Sequence, residues 1–151
     1  MPTSGRCLCG AVQFEVNGPL RGVLVCHCTE CRRWSGHAWA ATAAAHSDLR
    51  LIEDQTLRWL DSPASDTNAR RGFCAACGSS LFWDAPGRAT ISISAGSLDE
   101  PTGLEVIGHV YVEQAGDYYA LPDDSVPHHA WLQDSRGIRG GGVGPSDPSA
   151  A

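Results

Sequence analysis

Seven cysteines in three clusters constrain this chain more than any other feature. Cys7 and Cys9 lie in RCLCG, Cys26, Cys28 and Cys31 in CHCTEC, and Cys74 and Cys77 in FCAACGSS. A disulfide framework fits poorly. The count is odd, and the N-terminus MPTSGRCLCG lacks the charged, apolar and small-residue order of a secretion signal, so the expected compartment is the reducing cytoplasm. Metal chelation fits better. Residues two apart in a strand share a face, so Cys7 and Cys9 can hold one ion, and Cys74-Ala-Ala-Cys77-Gly78 has the form of a zinc knuckle. Gly10 and Gly78 each follow the last cysteine of a pair, where a residue without Cβ lets the backbone turn back toward the sulfur.

Spacing leaves two partitions open. Cys7, Cys9, Cys74 and Cys77 can close a tetrahedron and leave Cys26, Cys28 and Cys31 as three ligands with an open fourth position. Alternatively, Cys28 and Cys31 join Cys74 and Cys77 as a zinc ribbon, with Cys7, Cys9 and Cys26 left over. Either way four thiols close one site and three remain. One structural ion with three free thiols, or a redox pair within the remaining trio, is the simpler alternative to two metal sites.

The 151 residues suit one domain, assigned to 1–132, followed by a Gly/Pro/Ser-rich flexible tail at 133–151, where five of the eight residues from Gly137 to Gly144 are glycine. AVQFEV from Ala11 alternates apolar and polar residues as a half-buried strand does. TLRWL from Thr56, SLFW from Ser80, ATISISA from Ala89 and EVIGHVYV from Glu105 also read as short strands between turn residues. Only Thr29 to Ser35 suggests a helical turn or two, stopped by Gly36 and preceded by a strand end at the cysteine trio. The class is mostly β, with few or no long helices. No apolar run approaches the ~20 residues that span a bilayer, so no membrane partner is expected. A formal charge of −6 offers no basic field for a nucleic acid. All eleven basic side chains are arginine, which removes lysine Schiff-base and pyridoxal phosphate chemistry. Ser79 and Ser80 lack the nucleophile elbow of a hydrolase.

The motifs GRCLCGAVQFEV, CHCTECRRWSG, RGFCAACGSSLFW, SAGSLDEP and HVYVEQAGDYYALPDD resemble the glutathione-dependent formaldehyde-activating family, which includes the centromere protein V domain, from about Gly5 to Asp124. All seven cysteines fall at positions of that pattern. The resemblance implies a β-tent of small antiparallel sheets carrying two zinc ions: a structural one held by Cys7, Cys9, Cys74 and Cys77, and a catalytic one held by Cys26, Cys28 and Cys31. It implies a carbon–sulfur lyase or synthase acting on a thiol adduct, with glutathione and formaldehyde or a related aldehyde as partners. The alternatives are a non-catalytic zinc-stabilised thiol- or protein-binding module and a thiol redox sensor. Tyr118 and Tyr119 stand where members often carry a tryptophan, which bears on the pocket wall.

Arg32 and Arg33 follow the trio and are candidates to pair with a glutathione carboxylate, against the plainer reading of a solvated helical turn. Trp34, Trp39, Trp59 and Trp83 read as core or pocket wall. His27, between two cysteines, is expected on the opposite strand face; His37 and His109 are candidates to support the site from behind, and His128 and His129 are expected at the surface.

Overall fold

The computed structural model describes residues 1–65, 67–123 and 125–129; the expected tail at 133–151 lies outside them. Among the described residues the chain forms eleven strands, one short helix and three single 3-10 turns. The strands are β1 (Thr3–Arg6), β2 (Gln13–Val16), β3 (Val23–Cys26), β4 (Trp39–Ala45), β5 (Leu49–Glu53), β6 (Leu57–Asp61), β7 (Arg70–Cys74), β8 (Ser80–Asp84), β9 (Thr90–Ser94), β10 (Val106–Val110) and β11 (His128–His129). The helix α1 (Thr29–Ser35) follows β3 and ends at Gly36, whose N–H bonds the Arg32 carbonyl. The fold is mostly β, as the alternating runs predict. Two sheets form, β1-β2-β5 and β11-β10-β3-β4-β9-β8-β7-β6; in the larger, β10 runs parallel to both β3 and β11.

The larger sheet separates two apolar clusters, and its register shows how. Residues directly opposite each other share a face. Cys26 lies opposite Trp39, Leu24 opposite Ala41, Ser92 opposite both Ala43 and Trp83, and Arg71 opposite both Trp83 and Leu60. These residues form one face. Intervening residues point the other way: Ile91 and Ile93 of β9 and Phe82 of β8 join Val12, Phe14, Val16 and Leu81 in the main core, with Phe14 and Phe82 edge to face at 5.1 Å. The second cluster is Cys31, Trp39 and Ala41, with Cys26, Cys28, Trp34 and Trp83 against it. Period two in β9, and in β8 beyond the bulge at Leu81, therefore divides the molecule.

Beside the main core, Asp84 ends β8 almost fully buried. Its carboxylate accepts from His46 Nε2 at 2.8 Å and from Arg70 Nε and Nη2 at 3.1 and 2.9 Å. Burial raises the carboxyl pKa, but the bonds from His46 and Arg70 outweigh it and hold the value below the ordinary one. A depressed carboxylate stabilises the fold above its unfolded value of ~3.9, and that contribution is lost as pH falls through the lower folded value. Asp84→Asn is expected to cost about 1–2 kcal/mol at pH 7, discounted for the half-exposed partners. Paired denaturant melts of the two proteins at pH 7 measure this. Equal stability would remove the carboxylate's role.

Candidate metal centres

Cys7 and Cys9 are not in a strand: β1 stops at Arg6. Their common side comes from a tight turn in which Gly10 N–H bonds the Cys7 carbonyl and Val12 N–H bonds Cys7 Sγ at 3.2 Å. Cys74 and Cys77 form the matching turn, with Gly78 N–H on the Cys74 carbonyl at 2.7 Å. Gly10 and Gly78 both take left-handed φ, +77° and +78°, which explains glycine at each. Ser79 Oγ accepts from Leu8 N–H and touches Cys77 Sγ, tying the two turns together. The four sulfurs all lie within 4.8 Å of one another, with Cys7–Cys9 at 3.5 Å and Cys9–Cys74 at 3.9 Å. A tetrahedron with metal–sulfur bonds of ~2.3 Å has edges of about 3.8 Å, so the donor set fits one ion.

Cys26, Cys28 and Cys31 form a second group within 4.8 Å. Cys26 ends β3, Cys28 caps α1 by accepting the Cys31 N–H at 3.4 Å, and Cys31 is the buried residue of α1 itself. Hydrogen bonds from Cys26 and Cys31 hold the Cys28 thiol well below its ordinary pKa, while sharing with Cys28 and Cys31 pushes Cys26 up. The geometry thus brings together the four and the three that the resemblance implies, and separates Cys28 and Cys31 from Cys74 and Cys77.

The trio opens onto a cleft of about 750 Å³ floored by the Leu24–Cys26–Trp39–Ala41–Ser92–Trp83–Arg71 face of the sheet. One wall is α1, with Trp34 edge-on to Trp39 at 5.1 Å. Arg71 is 3% exposed. Its Nη1 reaches Cys31 Sγ at 3.6 Å, its Nε donates to Ser62 Oγ at 2.9 Å, its Nη2 pairs with Glu30 at 3.3 Å, and the guanidinium covers the Trp34 ring at 5.0 Å. Glu30 also accepts from Ser62 Oγ and Ala64 N–H, and despite the cost of burial these bonds keep its carboxyl below the ordinary value. A buried cation therefore faces a cluster of thiols. Sequence reasoning missed Arg71 and Glu30, because the contact spans forty positions and appears only once β7 is in register with β8.

A sequence profile described as glutathione-dependent formaldehyde-activating enzyme matches residues 2–114. The chain belongs to this family. A crystal structure of a Rhodobacter sphaeroides protein has a similar fold, with 23% identity, a TM-score of 0.54 and coverage of 83% of this chain and 98% of that one. A search of curated proteins returns no significant match.

The remaining polar residues of this formaldehyde-activating-family domain divide between cleft and support. His27 is 2% exposed, lies just past the end of β3 and is not part of the cleft lining. Its Nδ1 meets Tyr119 OH at 2.7 Å and its Nε2 meets His109 Nδ1 at 3.0 Å; burial first, then the neighbouring imidazoles, hold its pKa down to about 4. His37 bonds Tyr118 OH at 3.1 Å, so both tyrosines pack behind the cysteine loop. His128 is exposed, but His129 is buried, because β11 lies beside β10 and alternates its faces; the expected surface pair is corrected to one surface residue. Arg32 Nε donates to the carbonyls of His27 and Gln114, whereas Arg33 lines the cleft. Trp34, Trp39 and Trp83 line it too, while Trp59 stacks on Phe82 on the other face.

Proposed function

We propose that this chain is a zinc-dependent carbon–sulfur lyase or synthase that makes and breaks the adduct of a thiol, glutathione, with formaldehyde or a related aldehyde. The reading assigns one zinc to Cys7, Cys9, Cys74 and Cys77 and a second to Cys26, Cys28 and Cys31. The observation that supports it best is the second group: three sulfurs within 4.8 Å of one another, lining a cleft of about 750 Å³, in a chain of the formaldehyde-activating family. All seven thiols are unpaired, which suits a reducing compartment, and we place the chain in the cytoplasm.

When bound there, zinc would supply a thiophilic cation that deprotonates and orients an incoming thiol. The protein shapes the rest. Three thiolates outweigh a dication by one charge, and the Arg71 guanidinium beside Cys31 offsets the excess. Trp34, Trp39 and Trp83 give the cleft apolar walls that exclude water around the reacting sulfur. In synthesis the thiol sulfur forms a bond to the aldehyde carbon, the carbonyl π pair moves to oxygen, and oxygen takes up the proton given up by the thiol. Lysis reverses each step, and neither direction needs an oxidant or reductant.

Cobalt substitution gives a visible test. Glutathione added to the cobalt protein is expected to shift the d–d bands of one site, and Cys31→Ser to remove the shift while the other site's bands persist. A catalysed approach to adduct equilibrium above the spontaneous rate then separates an enzyme from a binding module. Unchanged bands at millimolar glutathione would sink the thiol-site assignment.

A further inference from the structure

The cleft holds a second chemical feature, a set of buried donors without acceptors. The segment before β3 is pinned along β4: Arg21 N–H bonds the Ala43 carbonyl, the Thr42 hydroxyl donates to the Arg21 carbonyl, and Arg21 Nη2 donates to the Ala41 carbonyl at 3.1 Å. The guanidinium is thereby fixed at the cleft floor. Its Nε and Nη1 are buried and have no hydrogen-bond partner among the described residues, and the same holds for the indole Nε1 of Trp39, a residue 6% exposed. Guanidinium and indole can only donate. Burying such groups unpaired is costly, so an acceptor-only group is their complement. Burial pushes the Arg21 pKa down to about 10, which leaves it charged at neutral pH.

Charge points the same way. The described lining carries Arg21, Arg33, Arg71 and Arg88 against one acid, Glu30, which is already held by Arg71, while the whole chain is at −6. An anion would be repelled by the molecule at large and attracted here. Position relates the donors to the thiol site. Trp39 lies opposite Cys26, and Ala41, which carries Arg21, lies opposite Leu24 on the next row of the same face. Rows two residues apart are separated by roughly 7 Å.

We propose that Arg21 and Trp39 form a carboxylate subsite, selecting thiols or thiol adducts whose carboxylate lies a few bonds from the sulfur. This rests on the thiol-binding reading of the cysteine trio. It assigns substrate discrimination to the sheet floor, not to Arg32, which is committed to backbone carbonyls.

Calorimetric titration of the metal-loaded protein with 3-mercaptopropionate and with its methyl ester tests the subsite. Wild type is expected to bind the acid about 10–50-fold tighter than the ester, Arg21→Met to reduce the ratio to within twofold by weakening the acid alone, and Trp39→Phe to lower it about 3–10-fold. Should Arg21→Met fail to fold, Trp39→Phe and Arg21→Lys carry the comparison. Equal binding of acid and ester by wild type, or an unchanged ratio in the variants, would overturn the subsite. If neither thiol binds, the trio reading falls separately, and glutarate decides the subsite. Calorimetric binding of glutarate by wild type that is weakened in Trp39→Phe and in the Arg21 variant supports it, and no binding of glutarate by wild type rejects it.

Discussion

Cys77→Ser is expected to abolish soluble, cooperatively unfolding protein, whereas Cys28→Ser keeps the sheet and loses only the metal of the trio. The difference follows from what each sulfur is packed into. Cys7 and Cys74 are 3% and 0% exposed and belong to the main core with Val12, Phe14 and Phe82, and Cys77 packs against that core. Cys74 ends β7 opposite Leu57, but Cys7, Cys9 and Cys77 lie outside any strand, so the proposed ion would be their cross-link. Structural zinc contributes ~10–16 kcal/mol of apparent free energy, as much as the ~5–15 kcal/mol that a whole domain retains. Cys28 instead lies at the rim of a cleft, and the serine hydroxyl can take over its place as the cap of α1, so apart from metal little is lost. Circular dichroism melts with metal analysis of both variants decide the matter. Indistinguishable melting curves would contradict the division into a structural and a cleft site.

Arg71→Met is expected to weaken metal retention in the trio about 10–100-fold, the usual scale for a group that hydrogen-bonds a ligand, while the four-cysteine site keeps its ion. The side chain is buried, and methionine leaves Glu30 without its cation, so a further loss of about 3 kcal/mol of fold stability should accompany it. Arg71→Lys separates the two contributions: it retains charge but cannot reach Cys31, Ser62 and Glu30 together. Chelator competition, followed as a fast and a slow phase of metal release, reads each site. A fast phase that is the same in wild type and both variants would show that Arg71 only braces the loop at Ser62.

The strands that the sequence reveals are those whose alternation is chemical. Val12, Phe14 and Val16 against Gln13 and Glu15 are unmistakable, and so are Ile91 and Ile93 against Ser92. By contrast β4, WAATAAA, is hidden because alanine carries little strand preference; its small side chains suit a central position crowded on both faces. RRGFC of β7 is likewise missing from the strands read off the sequence, and Arg71 within it is buried by its pairing with Trp83 and Leu60. The cysteine groups were legible through spacing joined to family resemblance. Their electrostatic surroundings were not, because Arg71 and Arg21 act through register and burial, which one-dimensional order does not carry.

The alternating faces of β8 and β9 have a consequence for how such a protein can change. Trp83 and Ser92 look into the cleft, while Phe82, Ile91 and Ile93 look into the core that surrounds the four-cysteine turns. Neighbours in the chain thus answer to different selective demands. Substitutions at 24, 39, 41, 83 and 92 can reshape the cleft without disturbing the opposite layer. A saturation library across β9 would show tolerance rising and falling with every second residue, and in β8 the same contrast between Phe82 and Trp83 beyond the bulge at Leu81. Diversity of substrates on one scaffold then needs no new architecture, only drift on one side of a wall.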